Sequence, residues 1–199
     1  MRQVVKEYFL TLKSLFSKIS AVGANGEVYQ FDEAMDMSIR MIIDQAASGK
    51  KLFLIGNGAS ASISSHIAAD FWKNAGIRAL TFNDSTLLTC ISNDYGYKHV
   101  FEKPIDMFAD RGDILIAISS SGQSDNILSG VLAAKKKNVK VITLSGFKKN
   151  NSLSSLGDIN FYVPASEYGY VEAVHLSICH CFVDMVIGIK NGQILNRQP

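Results

Sequence analysis

Two short apolar runs, Leu52 to Ile55 and Ile114 to Ile118, each end in a turn of small residues that leads into a helical pattern. The turns are Gly56-Asn57-Gly58-Ala59-Ser60 and Ser119-Ser120-Ser121-Gly122-Gln123-Ser124. Uncharged runs without alternation suit strands buried on both faces, and such strands belong to parallel sheets covered by helices on each side. A glycine/serine turn at the carboxyl end of a strand lets the backbone come close to a ligand. Its hydroxyls, with the free N–H groups of the next helix's first turn, aim donors at negative charge. Two such turns fit a phosphorylated small molecule.

From Lys51 onward strands and helices alternate. Strands are expected at Leu52 to Ile55, Ala79 to Phe82, Ile114 to Ile118, Val139 to Leu144 and Ile159 to Val163. Helices are expected near Ser62 to Asn74, Ser85 to Asn93, Asn126 to Lys137 and Tyr170 to Ile189. This pattern defines a doubly wound α/β fold with a five-stranded parallel sheet. Its right-handed crossovers bring both turns to one sheet edge, where ligands of open α/β sheets bind.

The preceding segment reads as two helices. Val5, Tyr8/Phe9, Leu12, Leu15/Phe16 and Ile19 recur at helical steps, Gly23-Ala24-Asn25-Gly26 breaks the pattern, and Phe31, Met35, Ile39, Ile42/Ile43 and Ala46 resume it until Gly49. One apolar stripe can rest on the sheet domain. The other serves either as one more layer on the same core or as an interface with further copies of the chain. At 199 residues and 47% hydrophobic content the expectation is a single domain over 1–199, with a helical pair in 1–49 and the α/β core with its last helix in 50–199.

A net charge of +2 argues against a dedicated nucleic-acid binder. The run Lys135-Lys136-Lys137, with Lys140 close behind, either complements the end of a helix and stays solvated or grips phosphates. Three cysteines are no disulfide framework and suit a reducing, cytoplasmic setting. Cys179-His180-Cys181 has metal-binding residue types, but consecutive helical side chains diverge by about 100° and cannot share one ion. No apolar stretch is expected to reach the roughly 18 residues of a membrane span, and the N-terminus does not read as a signal peptide.

The first turn also matches part of a dinucleotide fingerprint, with Ala61 at its last place. No acidic residue ends the second strand, where Asn83 and Asp84 follow Phe82, and a dinucleotide leaves the serine turn unexplained. His66 and Asp70 are four apart on the helix after the first turn, so an imidazole and a carboxylate share one face. Such a pair either binds a divalent metal or is a surface histidine beside an acid. Glu172, His175 and His180 add ligand types on the last helix.

In order along the chain, Gly56-Asn57-Gly58-Ala59-Ser60, His66-Ile67-Ala68-Ala69-Asp70, Asn93-Asp94-Tyr95-Gly96-Tyr97, the serine turn, and Val174-His175-Leu176 with His180 resemble the sugar isomerase (SIS) domain family. Within it they are similar to the branch that interconverts sedoheptulose 7-phosphate and glycero-manno-heptose 7-phosphate. The resemblance implies a flavodoxin-like sheet, a sugar-phosphate substrate, no nucleic-acid or membrane partner, and a homotetramer with active sites between subunits. It implies sugar-phosphate contacts from Asn57, Gly58 and Ala59, and also from Asp70 and Glu172. Ser119, Ser120, Ser121 and Ser124 would hold the phosphate, and Asn93 and Asp94 the sugar hydroxyls. One zinc ion per subunit would be held by His66, Asp70, Glu172 and His180, with Asp70 as catalytic base and His180 as catalytic acid.

Two positions depart from the family pattern. Asp70 stands where a glutamate is usual, withdrawing the carboxylate by roughly 1 Å, and Glu172 replaces an amide. Eight residues separate Glu172 from His180, about 12 Å of helix, which one ion does not span unless Glu172 precedes the helix or the ligands come from different subunits. Other readings are a non-catalytic relative, such as a tetramer that binds the replication initiator DnaA, a sugar-phosphate-sensing module, and an isomerase of a five-carbon sugar phosphate.

Overall fold

The computed structural model describes residues 1–193. The chain opens with α1 (Arg2–Phe16), β1 (Ser20–Gly23), β2 (Val28–Tyr29) and α2 (Phe31–Ala47), followed by β3 (Leu52–Gly56), α3 (Ala59–Asn74) and β4 (Ala79–Thr81). Next come α4 (Ser85–Tyr95), α5 (Glu102–Phe108), β5 (Ile114–Ser119) and α6 (Asp125–Lys136). It closes with β6 (Lys140–Ser145), β7 (Ile159–Tyr162) and α7 (Tyr168–Lys190).

The sheet has seven strands in the order β2-β1-β7-β6-β5-β3-β4. The five expected strands are present and run parallel. From β3 the chain moves outward to β4 and then returns past β3 to lay down β5, β6 and β7. Progression therefore reverses between β3 and β5, and this switch point is where open α/β sheets place ligands.

The two further strands correct the expectation of a sheet with five. Helix α1 stops at Phe16, and Ser20–Gly23 leaves it as a strand antiparallel to β7, with β2 outside it. The physical reason lies in Asn25-Gly26, a hairpin signal between two short extended runs that the sequence reading took only as a helix break. Phe108, too, was not foreseen as the end of a helix; α5 is short and carries Pro104 within its first turn.

Alternate residues of the central strands feed two cores. Leu52, Leu54, Ile114, Ile116, Ile118, Ile142 and Leu144 pack with α2, α3 and α7 on one face. Phe53, Ile55, Leu115, Ala117 and Val141 pack with α5 and α6 on the other. Each fully buried Ile or Leu contributes roughly 2 kcal/mol, so these strands hold their register firmly. That rigidity carries the turns at their carboxyl ends.

Helix α7 overturns the expectation that no apolar stretch reaches membrane length. At 23 residues it is long and apolar enough to cross a membrane by length and composition. Here it is a core helix, with Val171, Val174, Ile178, Phe182, Val183 and Val186 buried against the sheet and its neighbours. Helix α1, by contrast, buries only Leu15 and leaves Val4, Val5, Phe9 and Leu10 exposed.

Candidate active site

β3 and β5 pair from Leu52↔Ile114 to Gly56↔Ile118, so their carboxyl ends are held side by side. Beyond Gly56 the chain turns at once into α3, with Gly58 as its N-cap. Gly56 is required there because a Cβ would stand 2.5 Å from the Ser60 main chain. Beyond Ser119 the second turn reaches α6 through Ser124, its N-cap. Gly122 has φ +62°, and a Cβ on it would fall 1.9 Å from Asn151 Oδ1.

The second turn is braced from within and from outside. The N–H of Gly122 donates to Ser119 Oγ at 3.1 Å, and Ser119 Oγ lies 3.4 Å from Ser124 Oγ. The N–H of Leu153 donates to the Gly122 carbonyl at 3.0 Å. Asn151, buried beside Gly122, donates to the Lys148 carbonyl at 2.8 Å and accepts from the N–H of Ser154 at 3.0 Å.

A cavity of about 110 Å³ opens between the turns, lined by Asn57, Ser60, Ser119, Ser120, Ser121 and Ser124 with Tyr168 and Glu172 from the head of α7. Ser120 Oγ is buried with no hydrogen-bond partner among the described residues. An unpaired buried hydroxyl costs about 1–3 kcal/mol, so a ligand acceptor placed here recovers what the fold leaves unsatisfied. The first turns of α3 and α6 border the cavity, and their free N–H groups favour an anion there. Ser60 and Tyr168 were missed as lining residues: Ser60 lay inside a quoted motif, but Tyr168 reaches the cavity only because α7 begins there.

A second cluster lies further along α3 and α7, which pack against each other. His66, Asp70 and His180 bring one ligand atom each within 4.8 Å of one another. His66 Nε2 is 3.4 Å from Asp70 Oδ2, and the two imidazole rings stand 5.3 Å apart at 68°. Asp70 also accepts from Asn74 Nδ2 at 3.1 Å. His66 keeps 57% of its side chain exposed, which leaves the cluster open on one side. Two imidazoles and a carboxylate are a group that could hold a divalent metal ion.

The structure does not bring every expected residue to these places. Glu172 does not join the cluster: it lies within α7 rather than before it, so about 12 Å of helix separates it from His180, and it lines the anion cavity instead. Asn93 and Asp94 are exposed at the end of α4, hydrogen-bonded to each other at 2.9 Å, and do not line the cavity of their own chain. Gly58 and Ala59 present the exposed start of α3 beside it.

Other candidate groups resolve into structural roles. Cys179 is fully buried and its thiol is pushed up to about 12 by burial, whereas Cys181 lines a groove against α2. Lys135 and Lys137 donate to the carbonyls of Leu156 and Ala109 at 2.9 Å, at the end of α6 away from the turns. His175 is buried on α7, 3.2 Å from the Ser145 carbonyl, and burial lowers its pKa to about 4, so its ring is neutral.

Turns at a sheet switch point, a polar cavity between them and a nearby histidine/carboxylate cluster define an α/β protein with a ligand site suited to an anion. Residues 16–146 match the SIS domain. The phosphoheptose isomerase of Clostridium acetobutylicum is 38% identical over 79% of this chain and 83% of its own length. That of Campylobacter concisus is 34% identical over 77% and 84%. The solved phosphoheptose isomerase of Neisseria gonorrhoeae is 25% identical, with a TM-score of 0.82 over 93% of this chain and 98% of that one. The chain belongs to the SIS-domain family, in its phosphoheptose isomerase group.

Proposed function

We propose that this chain is an aldose–ketose isomerase that converts sedoheptulose 7-phosphate to D-glycero-D-manno-heptose 7-phosphate through an enediol, in bacterial heptose biosynthesis. The observation that carries this reading is the pairing of an anion cavity at the heads of α3 and α7 with the His66, Asp70, His180 cluster further along the same helices. From Ser60 to His66 is about 9 Å of helix and from Glu172 to His180 about 12 Å. An open-chain seven-carbon sugar reaches about 10 Å from C1 to a terminal phosphorus at standard bond lengths.

In this reading Ser119, Ser120, Ser121 and Ser124 hold the phosphate with the main chain of Asn57, Gly58 and Ala59. That grip sets the reacting carbons at a fixed distance. Asn93 and Asp94 meet the sugar hydroxyls from a neighbouring subunit, and Glu172 binds the ligand from the cavity wall. Asp70 takes the proton from C1 of the ketose while His180 protonates the C2 oxygen; Asp70 then returns that proton to C2 as the C1 hydroxyl passes its own to His180, which restores both groups. His66, Asp70 and His180 would hold a zinc ion, which would supply Lewis-acid polarisation of the carbonyl.

The exposed apolar face of α1 and a groove of about 340 Å³ between α2 and α7 support assembly into a homotetramer. The three unpaired cysteines support a reducing, cytoplasmic setting. The test is to incubate the pure protein, chelated and then reloaded with zinc, with sedoheptulose 7-phosphate and follow the aldose by NMR. Zinc-dependent appearance of the aldose is expected. Tight ketose-phosphate binding with no turnover under either condition would replace the isomerase by a sensor.

A further inference from the structure

Asn126 sits in the first turn of α6, buried, outside every role assigned above. Its side-chain amide faces that of Asn57 across the gap between the two turns. Asn57 Nδ2 donates to Asn126 Oδ1 at 2.9 Å, and Asn126 Nδ2 donates to Asn57 Oδ1 at 2.8 Å. Asn126 Oδ1 also accepts from the N–H of Ile127 at 3.0 Å, which ties the amide to the first turn of its own helix. On the other side, the hydroxyl of Tyr97 donates to Asn57 Oδ1 at 3.2 Å. Tyr97 begins a single 3-10 turn just after α4, three residues beyond Asp94.

Strand pairing aligns the two turns only as far as Gly56 and Ile118; past that point they depart into separate helices. The reciprocal amide pair spans the gap. Two parallel hydrogen bonds between planar groups fix both distance and orientation, and the low exposure of Asn126 shields them from water. With Asn57 Oδ1 accepting two donors, the Asn57 side chain is engaged in holding the turn. Its main chain is what remains for a ligand.

We infer that Asn126 and Tyr97 are positioning residues for phosphate binding: the Asn57–Asn126 pair is a crossbar that sets the spacing of the two turns. Tyr97 latches that crossbar from the segment that also carries Asn93 and Asp94. The inference rests on reading the cavity as the phosphate site. It adds that the affinity of this site is set from outside the cavity, by residues that never touch the ligand.

The experiment measures inorganic phosphate binding by calorimetry and steady-state kinetics with sedoheptulose 7-phosphate, on the zinc-loaded protein. Wild type is compared with Asn126→Ala, Tyr97→Phe, Asn57→Ala and the Asn57→Ala/Asn126→Ala double variant. Asn126→Ala is expected to weaken phosphate about tenfold and Tyr97→Phe about threefold, as for loss of a paired and a single hydrogen bond. KM should rise in step while kcat stays within about twofold, the mark of lost uniform binding. The double variant should be no weaker than the worse single one, since both remove the same bridge. Unchanged phosphate affinity in Tyr97→Phe and Asn126→Ala, or full additivity in the double variant, overturns the crossbar. Should Asn126→Ala fail to fold, Tyr97→Phe at its exposed position carries the test alone. A wild type that binds no phosphate overturns the phosphate site itself, which separates the two failures.

Discussion

Protonation of His175 should undermine this fold from within. The ring is completely buried on α7, with Nε2 3.2 Å from the Ser145 carbonyl and Nδ1 without a partner among the described residues. Burial, opposed by the hydrogen bond to Ser145, lowers its pKa from 6.5 to about 4. Between those values the unfolded chain binds the proton and the folded chain does not, so stability falls as pH drops from 6.5 to 4. At about 1.4 kcal/mol per pH unit the window is worth about 3 kcal/mol. Above it the contribution is fully present; below it nothing more is lost. The control is His175→Gln, whose amide nitrogen can still donate towards Ser145 but does not titrate. Urea unfolding of both proteins at one protein concentration, from about pH 7 to about pH 4, isolates the effect from the carboxylates the two share. The stability gap between wild type and variant should shift in the variant's favour by about 3 kcal/mol across the window. Parallel loss in the two proteins would refute the reasoning.

Three further outcomes are expected. Asp70→Ala and His180→Ala should each lower turnover at least about 100-fold while leaving ketose-phosphate binding measurable by calorimetry; a near-wild-type rate in either would remove that residue from the chemistry. Gly122→Ala should cost roughly 2 kcal/mol of stability through its positive φ and the clash with Asn151, and should weaken phosphate as well. Melting and phosphate titration of that variant check both effects. Asp113→Ala should destabilise the fold by roughly 3 kcal/mol, because Asp113 accepts the N–H groups of Lys51 and Asp110 and faces the Lys51 ammonium at 3.0 Å. It precedes β5 at the opposite edge from the cavity, so KM should not move with it.

The five parallel strands were legible because each is a short uncharged run closed by a turn, a signal carried by neighbouring residues. The hairpin Ser20–Tyr29 was not, because its strands are four and two residues long and become strands by pairing with β7, whose position lies far along the chain. Membrane-length apolarity in α7 was missed for a related reason. Scattered Glu172, His175 and His180 mask a helix whose buried side continues for about five turns, from Val171 to Gly188.

The glycine/serine turns and the shared face of His66 and Asp70 follow from local spacing, since strand ends and helical periodicity need no distant partner. Which residues meet around them does not. Packing of α3 on α7 sets His180 beside His66, and helix length holds Glu172 away from both and at the cavity. Asn126 reaches Asn57 only because β3 and β5 are neighbours across the reversal in strand order. Chain sequence alone thus determined the layered α/β architecture and the anion-binding turns, whose causes are short-range. Tertiary structure decided the cluster, the cavity wall and the bridge between turns, because contacts between residues tens of positions apart depend on strand order and helix packing.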